Sequence, residues 1–178
     1  MLHFIAIVAP EEINQQVLQW KHYMRDHFNC KAALKSPAHI TLIAPFNMPD
    51  HLQAEMQEVL LPFAARQQSF PVQLKNFAAF KPHVIYVEVL PGERLYELRT
   101  ALETTLLQCN RFPIKKEERP FHPHVTIANR DLHTNDFPLA WQQFQQINYE
   151  ASFMANAIAL LRHNGQAWEI AHSFPLNN

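Results

Sequence analysis

Leu2–Ala9 is a short, almost wholly apolar run closed by Pro10, the pattern of a buried strand. From Glu11 to about Phe28 the period lengthens. Ile13, Val17, Trp20 and Met24 recur at helical spacing behind two acidic residues that suit a helix N-terminus. A loop with Lys31, Lys35 and Pro37 then leads into a strand from His39 to Ala44, which Pro45 is expected to end. Asp50 is the candidate N-cap of a second helix over roughly residues 50–66.

Further strands are expected at Phe70–Phe77 and Val84–Leu90. Pro91-Gly92 turns the chain into a helix from about Glu93 to Asn110, with Leu95, Leu98, Leu102 and Leu106 on one face. A charged loop from Lys115 to Arg119 precedes a strand from His122 to Ala128, and Phe137–Gln145 has the pattern of a short helix. Ala151–Arg162 and Ala167–Phe174 read as a terminal hairpin around Asn164-Gly165, a two-residue turn signal.

This order repeats. Val8-Ala-Pro-Glu-Glu12 and Val89-Leu-Pro-Gly-Glu93 each end a strand, turn at proline and open a helix. A basic loop and a strand with the same polar signature follow each at nearly constant offset, as in a duplicated lobe. The expectation is one bilobal domain over residues 1–178, with repeated units starting near residues 2 and 83. Two lobes related by a pseudo-two-fold would set the second strand of each unit on opposite walls of one cleft.

Those two strands carry the candidate chemistry. One reads Pro37-Ala-His39-Ile-Thr41-Leu-Ile, the other Pro123-His124-Val-Thr126-Ile. Residues i and i+2 of a strand share a face, so each histidine projects beside its threonine while branched aliphatics point the other way. Two imidazoles across a cleft suit a reaction that needs a base and an acid in one step, because an ordinary imidazole titrates near neutrality. Cleavage of a phosphodiester has that requirement, and paired hydroxyls can donate to the non-bridging oxygens where charge builds up. No metal or cofactor is needed for such a division of labour.

Composition narrows the alternatives. The chain has 178 residues, 48% of them hydrophobic, and a formal net charge of −1, so bulk attraction to long nucleic acid is not expected. Any nucleic-acid substrate must be a small piece held by a local site. Two glycines against 13 prolines leave no Walker loop and no glycine-rich dinucleotide turn. Cys30 and Cys109 fit a reduced, intracellular protein. The apolar N-terminus lacks a basic leader and is too short for a secretory signal, and no stretch reaches membrane-spanning length. The expectation is a cytoplasmic monomer.

The motifs His39-Ile-Thr-Leu42 and His124-Val-Thr-Ile127, in a duplicated chain of this size, resemble the two-histidine (2H) phosphoesterase superfamily and its bacterial 2′-5′ RNA ligase-like branch. The resemblance covers most of the chain and includes the Phe80-Lys-Pro-His-Val-Ile-Tyr-Val-Glu-Val89 segment. It implies an α+β fold of two lobes, each a largely antiparallel sheet with helices outside, around a central cleft. It also implies cofactor-free chemistry on RNA 2′,3′-cyclic phosphate ends, giving a 2′-phosphate, or on 2′-5′ linkages, with ligation as the reverse reaction. His39 and His124 carry over as the acid/base pair, with His124 as the base, and Thr41 and Thr126 as phosphate donors. Many relatives place an arginine close behind the second motif. Here Asn129 holds that place and Arg130 follows, so Arg130 reaches the phosphate only if the strand has ended or bulged.

Other readings use the same residues. A relative of this kind acting on a small cyclic nucleotide or an ADP-ribose-like metabolite would carry the same pair, and so would a non-catalytic module that holds a phosphorylated ligand. His122 and His124 could form half of a metal site, though no carboxylate or cysteine stands at ligand spacing. Phe46, Phe77 and Phe80 are candidates for stacking a base at the cleft rim. Lys35, Lys115, Lys116 and Arg119 are placed to draw in a phosphate end.

Overall fold

The computed structural model describes residues 1–178. Its elements run β1 (Leu2–Val8), α1 (Glu11–Phe28), β2 (His39–Asn47), α2 (Gln53–Ala64), β3 (Phe70–Phe80), β4 (Val84–Val89), α3 (Glu93–Cys109) and β5 (His124–Ala128). They continue with α4 (Phe137–Phe144), β6 (Glu150–Ala155), β7 (Ala157–His163) and β8 (Trp168–Pro175). The fold is α+β, with two four-stranded antiparallel sheets ordered β2-β1-β7-β8 and β5-β4-β3-β6. In each sheet a motif strand lies at one edge, beside the strand that leads into its helix.

The second sheet is built from one continuous stretch, β3 to β6. The first joins both ends of the chain, because β7 and β8 return to complete it beside β1. The single strand expected from Ala151 to Arg162 is therefore two strands, broken at exposed Asn156. β6 closes the second sheet and β7 opens the return to the first. Apolar residues continue on both sides of Asn156, so hydrophobic patterning hid the change of sheet.

One core unites the sheets. Ile5 and Ile7 of β1, Ile40 of β2, Val87 of β4, Val125 and Ile127 of β5 and Leu160 of β7 belong to the same buried cluster. Val17 and Met24 of α1 and Leu102 and Leu106 of α3 join it. The helices cross over: α1 packs against β5 and α3 against β2, so each helix supports the other unit's motif strand. Each large apolar side chain buried this way contributes about 1.5–3 kcal/mol, which fixes the two motif strands relative to one another.

Several boundaries differ from the expected ones for identifiable reasons. β2 continues through Pro45 to Asn47, because the β1–β2 register slips between His3 and Ile5 and Pro45 falls in that bulge of an edge strand, where proline is tolerated. Asp50 caps no helix by its side chain; it begins a single 3-10 turn, Asp50–Leu52, ahead of α2. β5 starts at His124 rather than His122, since Pro123 cannot donate to a ladder. The β7–β8 turn is wider than two residues: the Asn164 side chain accepts from the N–H groups of Gln166 and Ala167, at 3.0 and 2.9 Å, and Gly165 takes φ 99°. Cys30 and Cys109 are free thiols. No helix is long and apolar enough to cross a membrane.

Candidate active site

β2 and β5 lie side by side across the core, each at the edge of its sheet. Along β2, His39 pairs with Val8 and Thr41 with Ala6; along β5, His124 pairs with Glu88 and Thr126 with Tyr86. The register then slips in both strands at the same place, one residue after the threonine. Leu42 is the extra residue between Thr41 and Ile43, and Ile127 the extra residue between Thr126 and Ala128. A bulge there turns two successive aliphatics into the core while leaving histidine and threonine on the cleft face. Leu42, Ile43, Ile127 and Ala128 are all buried, whereas the four motif side chains are half-buried.

The two imidazoles are held alike. His39 donates from Nδ1 to the carbonyl of Pro37 at 2.7 Å, and His124 from Nδ1 to the carbonyl of His122 at 2.7 Å. A carbonyl only accepts, so Nδ1 carries the proton and Nε2 is the atom that gains or loses one. Neither Nε2 has a protein partner.

Their electrostatics differ in degree. Burial lowers the pKa of His39 to about 4; the Pro37 carbonyl opposes the shift, and the positive charges of Lys21 and His124 add to it. Burial also lowers His124, with the His122 carbonyl opposing and the His122 ring adding. Lys21 lies on α1 and is 3% exposed. Its Nζ donates to the Ser36 carbonyl at 2.9 Å, no carboxylate pairs with it, and burial brings its pKa down to about 8.

Aromatic rings flank both histidines. Phe4 lies 4.8 Å from His39 and meets Trp168 edge-on at 4.6 Å. Phe80 and Tyr86 stand 5.2 and 5.1 Å from His124. His122 shares a hydrogen bond between its Nε2 and the Tyr86 hydroxyl at 3.1 Å, and no third ligating side chain joins it and His124 in a cluster able to hold a metal ion. Phe46 and Phe80 line the cleft, whereas Phe77 is in the core against Trp20 and Phe144.

The cleft divides into two cavities that meet at Thr41 and Pro45. The smaller, about 170 Å³, contains His39, Thr126, Asn129 and Arg130. The larger, about 710 Å³, contains His124 and runs beneath the segment Pro113–His122. The four motif residues are thus distributed over both cavities rather than gathered in one. Arg130 sits beside His39 and Thr126 because β5 has both bulged, at Ile127, and ended, at Ala128.

Lys21, Phe4, Tyr86 and Trp168 were not singled out by sequence reasoning. Lys21 lies among the helical residues that face inward, one position from Trp20, and that register is the one available signal. Phe4 on β1 and Tyr86 on β4 lie each on the cleft side of its own sheet, in strands buried on both faces, so alternation does not mark them.

A family model described as the 2′-5′ RNA ligase superfamily matches residues 9–167. A protein of Bacillus pumilus (strain SAFR-032) named as a phosphoesterase is 28% identical over 145 residues, 79% of this chain and 80% of its own. The RNA 2′,3′-cyclic phosphodiesterase of Bacillus subtilis (strain 168) is 26% identical over 164 residues, 90% of this chain and 86% of its own. Among solved structures, a Thermus thermophilus protein superposes with a TM-score of 0.74 at 18% identity, over 100% of this chain and 99% of that one. E. coli LigT complexed with 3′-AMP gives 0.63 at 20% identity, over 99% and 98%. The two-sheet α+β frame is that of LigT-like proteins. The chain belongs to the 2′-5′ RNA ligase superfamily.

Proposed function

We propose that the protein is a metal-independent phosphodiesterase that opens the 2′,3′-cyclic phosphate at the end of a short RNA, leaving a 2′-phosphate. The observation that carries this reading is the matched pair of imidazoles. Each is locked through Nδ1 to the carbonyl two residues earlier, each turns Nε2 to the cleft, and each has a threonine on the same face.

With the phosphate between the rings, the neutral ring takes a proton from water as its oxygen bonds to phosphorus. The P–O3′ bond breaks, and the protonated ring gives its proton to the departing 3′ oxygen. Thr41 and Thr126 donate to the non-bridging oxygens as their charge grows. Burial, with the charge of Lys21 adding to it, favours the neutral ring at His39, which gives His39 the base role and leaves His124 as the acid. This reverses the roles that the family resemblance implies. Arg130, in the same small cavity as His39 and Thr126, adds a cation for the phosphate.

The test is incubation of the purified protein, in excess chelator, with a short RNA bearing a 2′,3′-cyclic phosphate, followed by identification of the product's terminal group. A 2′-phosphate is expected. His39→Ala and His124→Ala should each slow its formation by about 10²–10⁴-fold. A variant that keeps the native rate removes that ring from the chemistry, and activity that chelator abolishes and zinc restores replaces the reading with a metal-dependent one.

A further inference from the structure

The reacting phosphate must touch both His39 and His124, and so must lie where the two cavities meet, at Thr41. The rest of the substrate then has one place to go. About 170 Å³ is below the range of small-molecule pockets, roughly 300–1,000 Å³, while about 710 Å³ lies well inside it. The larger cavity offers apolar surface from Pro113, Ile114, Pro120 and Phe121, with Phe80 at its rim. That suits the flat body of a nucleoside.

Six charged side chains also line this cavity, and four of them cancel in pairs. Arg99 forks onto Glu103 with two bonds of 2.9 Å, and Arg119 grips Glu117 with two of 3.1 Å. Lys115 and Lys116 remain, with no hydrogen bond and no carboxylate partner. The wall therefore carries two uncompensated positive charges next to a surface suited to a nucleoside. They belong to the same segment as Phe121 and His122.

We infer that Lys115 and Lys116 form a second phosphate subsite, which takes a phosphate on the 5′ oxygen of the nucleoside whose 2′,3′-cyclic phosphate lies between the histidines. This rests on the proposed reaction for its orientation. The preferred substrate carries phosphate on both sides of its terminal ribose. An RNA end does so through its last internucleotide linkage, and a small metabolite does so through a 5′-diphosphate.

Binding of reaction products tests this without turnover. By calorimetry at low salt, adenosine 2′,5′-bisphosphate should bind about tenfold more tightly than adenosine 2′-monophosphate, the scale of one charge-assisted contact. The advantage should shrink at high salt, and the ratio should fall to about one in the double variant Lys115→Ala, Lys116→Ala. Equal binding of the two nucleotides to the native protein would overturn the inference, as would an advantage that survives the double substitution. A dinucleotide ending in a 2′-phosphate and a nucleoside 2′-phosphate 5′-diphosphate distinguish the sources: whichever keeps the advantage names the substrate class. Loss of the proposed reaction with the bisphosphate preference intact would sink the catalytic reading and leave the subsite standing.

Discussion

Lys21 and His39 are tied to neighbouring peptide groups: Lys21 Nζ donates to the carbonyl of Ser36 at 2.9 Å, and His39 Nδ1 to the carbonyl of Pro37 at 2.7 Å. A buried cation on α1 thus anchors the turn that orients the imidazole, and its charge also opposes a proton on that ring. The other histidine has no such neighbour. His122, Tyr86 and Glu88 face it instead, from the chain before β5 and from β4.

The pH profile should register this difference. kcat/KM should rise as His39 loses its proton, near pH 4, and fall as His124 loses its own, below the usual 6.5, giving an optimum on the acid side of neutrality. In Lys21→Met the rising limb should move to higher pH, by less than burial's own share, because burial is the larger cause. Arg130 still faces His39 in that variant. An unmoved limb would take Lys21 out of the depression and leave it to burial and the charge of His124.

The hydroxyls have a separate signature. Thr41→Val and Thr126→Val keep shape and strand preference while removing the donor. Each should lower kcat by about 10²-fold, the scale of one oxyanion donor, with the melting temperature nearly unchanged. Equal losses in kcat and kcat/KM would mark a bond made in the transition state alone. A change confined to KM would reduce the threonine to a binding contact.

Lys21 also makes stability depend on alkaline pH. Its folded pKa, about 8, lies below the ordinary 10.5, so between those values the unfolded chain binds more protons and unfolding free energy rises with pH. Denaturant titrations at pH 8 and pH 10 should show this gain in the native protein and its loss in Lys21→Met. A native protein that does not gain would mean the ammonium is not desolvated.

Glu103, the other buried charged residue, is expected to matter more for structure than for chemistry. Its carboxylate accepts from Arg99 and from the backbone N–H of Glu117, anchoring the wall of the larger cavity to α3. Glu103→Ala leaves a guanidinium unpaired with 13% of its side chain exposed and should cost about 3–5 kcal/mol. The check is the urea midpoint at constant slope. Glu103→Gln, which keeps an acceptor for the Glu117 N–H, should cost less.

Much of the fold is legible along the chain because the repeat doubles each signal. α1 and α3 follow from their spacing, and the motif strands from a polar pair inside an apolar run. What was hidden depends on three-dimensional neighbours. The bulges after Thr41 and Thr126 leave no mark in a sequence where aliphatics follow in any case. The divided cleft depends on where the segment before β5 lies, and that segment has no periodicity. Lys21 is one more basic residue on a helix until packing buries it.

The exchange of β7 and β8 back to the first sheet bears on how the molecule is made. During synthesis β1 and β2 emerge first, yet β1 keeps an open edge until Ala157–His163 leaves the ribosome. The second sheet is complete by then. The wall that carries His39 is thus finished last, although its residues are made first, and a chain stopped before β7 leaves β1 without its neighbour on that side.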